Sequence, residues 1–444
     1  MSSIVETKEK VEKVEKVEII EKIEKVKEKD EFSTAREIFN NMVDRRVMTA
    51  LDTCVRCGIC TESCHYYQSN PKVEHTPYYR AEMVRRLYRH FFDPMGRAFP
   101  KWVGIKETTG DLLSKLSDLA FAKCTLCHRC TFACPFGVET AEIMRVMRGV
   151  ATATGHAPEM LEELANAAIT KEENIDLFRD IYREQVKDLE KEVQDTLGDS
   201  KARIPVEETG KRILYVPLAG AHTITPQAIL LNAAKESWTL GIFESSNYAV
   251  FLSDPVKAKR ITARVIKEAE RLGVEEIIAT ECGHGYTTLR WEAEKWFGKL
   301  PFRVRSILEV LDDYVREGRI RLDPSKNLQP TTYHDSCNLG RKGGIFDEPR
   351  RVIKAAAKDY RELIPNRLES YCCGAGSGLV AELEWLDIRM EAGKKKAEQV
   401  KNSGANLVIT SCDNCRLQIG DLSERYGLNV EVSSVSELAV KALA

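Results

Sequence analysis

No uninterrupted apolar run in this 444-residue chain approaches the roughly 18–20 residues that cross a bilayer, so no transmembrane span is expected. The first residues, MSSIVETKEK, lack the apolar core of a secretory signal. The expected compartment is therefore the cytosol, with any membrane attachment made through a partner subunit. The chain also lacks a charge bias. A formal net charge of −2 offers none of the basic field that nucleic-acid binders present, and that class is set aside. Its 43% hydrophobic residues suffice for two to three ordinary globular domains.

Cysteine is what the chain has. Fourteen cysteines without an export signal point to metal ligation rather than disulfides, because cytosolic thiols are kept reduced. Thirteen of the fourteen fall into spaced clusters.

Residues 1–32 form a charged, low-complexity arm in which Val11, Val14, Val17, Ile20, Ile23 and Val26 recur every third residue among Lys and Glu. That spacing drifts round a 3.6-residue helix, so the reading is a frayed charged helix or disordered arm rather than a partner-binding helix. Residues 33–150 read as helical and carry eight cysteines. Residues 151–208, including LFRDIYREQVKDLEKEVQDTL, read as a connector of charged amphipathic helices. From 209 onward short β-rich runs (RILYVPL, EEIIATEC, TTYHDSC, NLVITSC, LNVEVSS) alternate with helices such as Asp254 to Leu272, where Asp254 can cap and Pro255 suits the first turn. Such alternation predicts α/β layers on a largely parallel sheet.

This last region contains a repeat. Residues 271–289 and 402–419 share the plan helix end, glycine, apolar strand, Thr or Ser, then cysteine, which pairs Cys282 with Cys412 and sets Gly285 where Cys415 stands. YVPLAGAH (215–222) corresponds to YHDSCNLG (333–340), and ESWTLG (236–241) to ESYCCG (369–374). Residues 209–325 thus read as a degenerate half and 326–444 as a half with its thiols intact.

Two motifs have the form CxxCxxCxxxC: Cys54, Cys57, Cys60, Cys64 and Cys124, Cys127, Cys130, Cys134 followed by Pro135. This spacing wraps three thiolates round one [4Fe-4S] cube and lends the fourth to the other cube. The expected ligand sets are Cys54, Cys57, Cys60 with Cys134, and Cys124, Cys127, Cys130 with Cys64. Structural zinc does not explain triple cysteines with a distant fourth. His65 stands where the first motif would ordinarily have proline.

A third constellation comprises Cys337, the adjacent pair Cys372 and Cys373, and Cys412 with Cys415. A disulfide between neighbours is a poor reading, because Cα atoms about 3.8 Å apart fall short of the roughly 4.4–6.8 Å that unstrained bridges prefer. Two thiolates delivered together to a metal centre, on a backbone freed by the glycines of CCGAGSG, read better. Five thiolates exceed the four corners of a cube, so a larger, distorted cluster with bridging thiolates is expected.

Here the chain resembles the CCG-domain iron–sulfur family, that of heterodisulfide reductases. Cys337, YCCG and SCDNC match its motif, and the fused order, dicluster ferredoxin domain then CCG halves, resembles the catalytic subunit of the membrane-bound enzyme. The fold class the resemblance implies is α+β multidomain: an all-α ferredoxin domain with two cubane [4Fe-4S] clusters, then an α/β CCG domain of two pseudo-repeated halves with one noncubane [4Fe-4S] cluster. The first CCG motif is reduced to Cys282. A single intact motif after a degenerate one is similar to the DsrK-type subunits of sulfite-reduction-associated DsrMKJOP complexes. That likeness implies a subunit peripheral to the inner face of the cell membrane, electrons from a haem b quinol-oxidising membrane subunit (DsrM-like), and a disulfide or trisulfide on the small carrier DsrC as substrate. Reduction of the coenzyme heterodisulfide CoM-S-S-CoB and pure electron transfer are the competing readings.

Disulfide reduction on one cluster also needs a proton for the released sulfur. The candidates are His284, in ECGHGY, and His334, in YHDSC, as groups titrating near neutrality. For His334 a strand-end hydrogen bond is the plainer role. Cys282 is a spare ligand, a substrate-facing thiol or a small buried hydrophobe. His65, His75, His90 and His128 are expected around the cubes, and Tyr371 over the third cluster. The arginine-rich segment 78–102 reads as a solvated helix face, with docking to the membrane partner as its functional alternative.

Overall fold

The computed structural model describes residues 31–105, 109–218, 220–244 and 247–444, so all but the end of the charged arm lies outside the described residues. Among the described residues no helix is long and apolar enough to cross a membrane.

The cysteine-rich region up to about residue 153 is helical. Its helix Thr140–Ala153 is buried around most of its circumference, Ile143, Met144, Val146, Met147, Val150 and Ala151 included, as befits a helix at the centre of a bundle. Helix Pro77–Phe92 starts with proline, which suits a first turn, and stops at Asp93, before the next proline. Their shared core holds Phe39, Leu51, Leu87, Leu116 and Met147, and it also takes in Leu161, Ala165, Phe251 and Ile261 from further along the chain. The segment after helix Thr140–Ala153 reaches both cores: Leu161 and Ala165 belong to this one, and Val186 and Val193 to the next.

Eight short strands follow. β1 (Ile213–Val216), β2 (Trp238–Leu240), β3 (Glu276–Ala279) and β4 (Arg303–Ser306) form a sheet in the order β2-β1-β3-β4. β5 (Thr331–His334), β6 (Tyr360–Glu362), β7 (Leu407–Thr410) and β8 (Glu431–Ser433) form a second in the order β6-β5-β7-β8. Every pairing is parallel. The inner strands β1, β3, β5 and β7 are buried throughout, as strands covered on both faces are, and one core containing Tyr215, Ile278, Tyr333 and Ile409 spans both sheets. A helical region followed by two small parallel sheets is the α+β arrangement expected.

The two sheets repeat in detail. Tyr215 is the third residue of β1 and Tyr333 the third of β5. Each third strand is preceded by an 18-residue helix, Pro255–Leu272 or Leu386–Ser403, that ends in a left-handed glycine, Gly273 or Gly404. Asp254 caps the first of these, accepting from the backbone N–H groups of Val256 and Lys257. One correspondence needs correction. ESWTLG is not the counterpart of ESYCCG, because Trp238 pairs with Ile213 as Tyr360 pairs with Thr331, which makes β2 the equivalent of the edge strand β6. The place of the double cysteine falls later in the degenerate half, in the segment after β2 that holds Asn247.

Candidate metal centres and an adjoining cavity

The two CxxCxxC loops adopt one backbone. Arg56 and Gly58 in the first, and Leu126 and His128 in the second, have φ values of 58°, 81°, 50° and 61°. Alternation of this kind curls a loop around a centre and points its N–H groups inward. Gly58 and His128 then open the short helices Ile59–Ser63 and Arg129–Ala133, which carry the third cysteine of each motif inward.

Around Cys60 the structure gathers Cys54, Cys57 and Cys134; burial pushes Cys60 up to about 11, and these neighbours add to the effect. Cys64, Cys124, Cys127 and Cys130 line one small cavity with Arg80. Both groupings coincide with the exchange of fourth cysteines between motifs. All fourteen cysteines are free. Two four-thiol sets, one closing on a cavity beside a buried guanidinium, are a donor set that fits iron–sulfur clusters.

Arg80 corrects the reading of segment 78–102 as a solvated face. Arg80 is 2% exposed and Arg85 6%. Arg80 Nη2 donates to Cys64 Sγ at 3.4 Å and its Nη1 to the carbonyl of Lys123. Thiolate charge draws this arginine inside. The exposed part of the segment lies beyond it, at Met95, Phe99 and Trp102.

The third group lies where the CC loop crosses the second ferredoxin loop. Cys372 and Cys373 are 2% and 1% exposed. Cys372 is in contact with the thiols of Cys127, Cys337 and Cys373, Cys373 with Cys415, and Cys415 with Cys412, so all five cysteines form one connected set that touches the relay at Cys127. Hydrogen bonds from Cys372, Cys415 and His334 pull Cys373 well below the ordinary thiol range. The side chains of His65, Cys127 and Cys372 lie within 4.8 Å of one another, and both ring nitrogens of buried His65 lack a partner. The unusual residue of the first motif thus stands between the relay and the CC pair.

Glycine in the CCG sequence has a steric cause. Gly374 has φ +104°, and a Cβ there would lie 2.7 Å from Gly393 N and 2.8 Å from Arg389 O. Only glycine lets the CC loop seat against helix Leu386–Ser403. Tyr371 lies 4.3 Å from the Arg129 guanidinium, which donates to the carbonyls of Glu369 and Ser63. Arg148, wholly buried, donates to the carbonyls of Ala120, Cys124, Phe251 and Ser377 and so ties the second ferredoxin loop to both later halves.

The vestigial half approaches the same centre. Cys282 and Cys412 each occupy the N-cap of the helix that follows the third strand, so the pairing read from the repeat is a pairing of positions in the fold. Cys282 Sγ accepts from Gly285 N at 3.4 Å and donates to Asn247 Oδ1 at 3.5 Å. Burial pushes it up to about 12, with Cys412 adding to the effect, so it stays a thiol at neutral pH. Gly283 packs backbone to backbone on the opposite loop; a Cβ there would meet Leu339 N at 2.6 Å. A cavity of about 300 Å³ lies beside this contact and is lined by Cys282, His284, Cys412 and Asn247.

The histidines depart from expectation. Burial pushes His284 down to about 3, away from neutrality, and it lowers His334 as well. Asn338 Nδ2 lies 3.0 Å from His284 Nε2 and 3.4 Å from Cys337 Sγ, and Ser377 Oγ lies 3.2 Å from the same Nε2, so His284 is held between the Cys337 loop and the loop that follows the CC pair. His334 ends β5, with its ring within 4.8 Å of the Cys373 and Cys415 thiols. His128 is pushed down to about 4 by burial and lies 3.7 Å from Glu142. His75 and His90 bond the carbonyls of Asn70 and Gly96.

Lys396 escaped notice in the sequence. It is fully buried, and burial pushes it down to about 8 while Asp335, Cys373, Cys372 and Cys415 favour its charge. The run GKKK reads as surface, yet Lys396 falls on the buried stripe Arg389, Ala392, Gly393, Ala397 and Val400. That phase is the signal that would have found it.

Comparison with known proteins agrees with this construction. Residues 50–138 match the 4Fe-4S dicluster domain and residues 331–420 the cysteine-rich CCG domain. The chain is 28% identical over 445 residues to an Hdr-like menaquinol oxidoreductase iron-sulfur subunit 2 of Archaeoglobus fulgidus, covering 88% of this chain and 80% of that one. It is 25% identical to a subunit of the dihydromethanophenazine:CoB–CoM heterodisulfide reductase of Methanosarcina barkeri, covering 90% and 97%. An EtfAB:quinone oxidoreductase of Syntrophomonas wolfei is 25% identical, covering 88% and 58%. The chain carries both domains in this order and is similar to heterodisulfide-reductase-like iron–sulfur subunits over nearly its whole length.

Proposed function

We propose that this protein is the iron–sulfur oxidoreductase subunit of a membrane-associated respiratory complex, with an eight-cysteine relay leading to a five-cysteine site where a disulfide or trisulfide is reduced. Clusters held by these residues, two cubane and one noncubane [4Fe-4S], would supply one-electron transfer and a place to hold sulfur. The same reading divides the chain into a ferredoxin domain (33–150), a helical connector (151–208) and a CCG domain (209–444).

The observation that carries this reading is the contact of Cys127 with Cys372, their thiols within 4.8 Å, at the edge of a set that a cavity reaches through Cys412. A relay that stops at a ligand-sized cavity suits a terminus better than a through-path. Cys57, exposed within the first set, marks the outer end of the relay. Lys396 sets a cation beside the five thiols and offsets part of their charge.

The names of relatives bear on the donor and the substrate. The A. fulgidus protein is described as a menaquinol oxidoreductase subunit, which supports a quinol-oxidising membrane partner, here assigned as a haem b subunit of DsrM type. The single intact CCG motif supports a protein-borne disulfide or trisulfide on DsrC, in sulfite or sulfate respiration at the inner face of the membrane. The M. barkeri relative keeps the coenzyme heterodisulfide as the second substrate to test.

The experiment is electron paramagnetic resonance on anaerobically purified protein, oxidised with and without the thiol form of DsrC or of the coenzymes. A signal that needs one of these thiols and is lost in Cys373→Ala supports reduction at this site and names the substrate. Full iron content without any thiol-dependent signal would move the reaction to a partner and leave this chain a relay.

A further inference from the structure

We propose that His65 tunes the inner end of the relay: its imidazole N–H donates to the sulfur of Cys127, beside Cys372, and raises the reduction potential of the cluster held by Cys64, Cys124, Cys127 and Cys130. This inference rests on the reading of the eight ferredoxin cysteines as a relay and names a residue that sets its last potential.

The backbone gives no reason for a histidine at this position. Cys64 has φ −85° and ψ 119°, and Cys134, its equivalent in the second motif, has φ −79° and ψ 118°. This extended conformation is the one a following proline imposes, and Pro135 does follow Cys134. Residue 65 also opens the short helix His65–Ser69, and proline suits the first helical position because an N–H there has no partner within the helix. Proline would fit at 65 as it does at 135, so the reason for histidine lies in its side chain.

That side chain is 2% exposed, and neither ring nitrogen has a well-formed partner among the described residues. A buried polar group left so is costly, and the structure sets the thiols of Cys127 and Cys372 within 4.8 Å of it. Cys127 is pulled well below the ordinary thiol range by hydrogen bonds from Cys372 and then from His65. Tyr66, the next residue, is also buried with its hydroxyl unpaired, and the charges of Cys124, Cys372 and Cys64 reach it. Two consecutive buried residues thus keep polar atoms unpaired where the two thiol sets meet. A neutral imidazole has one N–H to give and needs no change of charge to give it. A reduced cluster carries one more negative charge than an oxidised one, shared with its ligand sulfurs. A donor fixed on such a sulfur in a dry interior therefore favours the reduced state. Arg80, which donates to Cys64 Sγ at 3.4 Å, acts on the same set in the same sense, and His65 adds its donor at the sulfur that touches the third site.

The test uses the cluster-loaded full chain under anaerobic conditions, with the potentials of both cubes read by redox titration followed by paramagnetic resonance. His65→Pro, which restores the residue that the second motif carries, should make the inner cube about tenfold harder to reduce, a fall of about 59 mV for one electron, and leave the outer cube where it was. His65→Gln, which returns an N–H, should recover part of the fall. His65→Leu is the second donor-free variant, and iron content verifies that each protein holds its clusters. An unmoved inner potential in a donor-free variant with full iron overturns the proposal, as does a shift shared equally by both cubes, which reports a change of fold rather than a lost donor. Loss of the inner cube in both donor-free variants also overturns it, since His65 would then hold the cluster rather than tune it. If the unaltered protein has no reducible cube at Cys124, Cys127 and Cys130, the relay reading falls and this proposal with it. A cube that is present and indifferent to residue 65 leaves the relay standing and overturns this proposal alone.

Discussion

The 18-residue helices Pro255–Leu272 and Leu386–Ser403 can be laid end to end, and the residues they bury then differ in kind. Val265 stands opposite Lys396, and Glu268 opposite Gln399. Matching β1 to β5 sets Val216 and Pro217 opposite His334 and Asp335. The half with five thiols surrounds them with a buried lysine, histidine and aspartate. The half that keeps only Cys282 has apolar residues at those three places. Thiolates in a low-dielectric interior need a counter-charge, and once the thiols are gone the same cation would be an uncompensated burden. Cys282, Asn247 and the cavity are what the degenerate half offers in place of a metal site.

The sharpest break in this comparison is a paired substitution. Cys373→Ala should remove the iron of the third site and lower thiol-dependent turnover by about 100-fold or more, the scale on which loss of metal-site residues acts. Cys282→Ala should leave the iron content unchanged. Iron analysis with paramagnetic resonance distinguishes the two, and equal iron loss would make Cys282 a ligand rather than a cavity thiol.

Lys396→Val copies the degenerate half into the intact one. Third-site iron should be lost to a chelator about 10–100 times more readily, because the cation beside the thiols is gone. The iron-free protein should be no less stable, since a buried charge has been replaced by an apolar side chain. Retention of iron at the native rate would mean that His334 and Arg350, which pairs with Asp335 at 2.7 Å, suffice to balance the site.

What the sequence made legible follows from what each residue must do alone. The runs at 213–216, 276–279, 331–334 and 407–410, made mostly of β-branched, aliphatic and aromatic residues, are inner strands, buried throughout, and they read as strands without help. The edge strands β4 and β6 did not, because they are short and polar: Arg303–Ser306 is RVRS and Tyr360–Glu362 is YRE; β2, the buried Trp238–Leu240, has only three residues to show a pattern. Cysteine spacing gave both ferredoxin sets, since ligation is local. The positions of Arg80, Arg148 and Lys396 were hidden, because a cation is drawn inside only by thiols or carbonyls distant in the chain. His65 likewise gained its place from the CC loop, which approaches from more than three hundred residues away.

Gly374→Ala tests the seat of the CC loop against a glycine of the other half that is less tightly packed. Gly374 needs φ +104° and meets backbone atoms at 2.7–2.9 Å, so strain and overpacking together should cost about 2–5 kcal/mol. Gly241, after β2, has ordinary φ, and a Cβ there would come no closer than 3.2 Å to Leu214. Gly241→Ala should cost under about 1.5 kcal/mol, as modest adjustments in packing do. Chemical denaturation of the two variants measures the difference, and equal losses would show that the CC loop is no more tightly seated than the loop after β2.

The smallest effect expected is one of pH, and it separates Glu268 from Gln399. Burial pushes Glu268 up to about 7 from 4.5; its Oε1 accepts from Ile242 N at 3.1 Å and its Oε2 has no partner. Between those two values the folded protein holds a proton that the unfolded chain has released. Folding stability should therefore fall as pH rises through that window and level off above about 7, a total of about 3 kcal/mol at about 1.36 kcal/mol per unit. Glu268→Gln should abolish this slope and leave the variant the more stable of the two at pH 8. The intact half already carries the amide at this place, where Gln399 Nε2 donates to the carbonyl of Pro365 and its Oε1 accepts from Lys396. A wild-type slope of opposite sign across this window, or a slope that persists in Glu268→Gln, would assign the titration to another group and remove the acid-for-amide exchange as a difference between the halves.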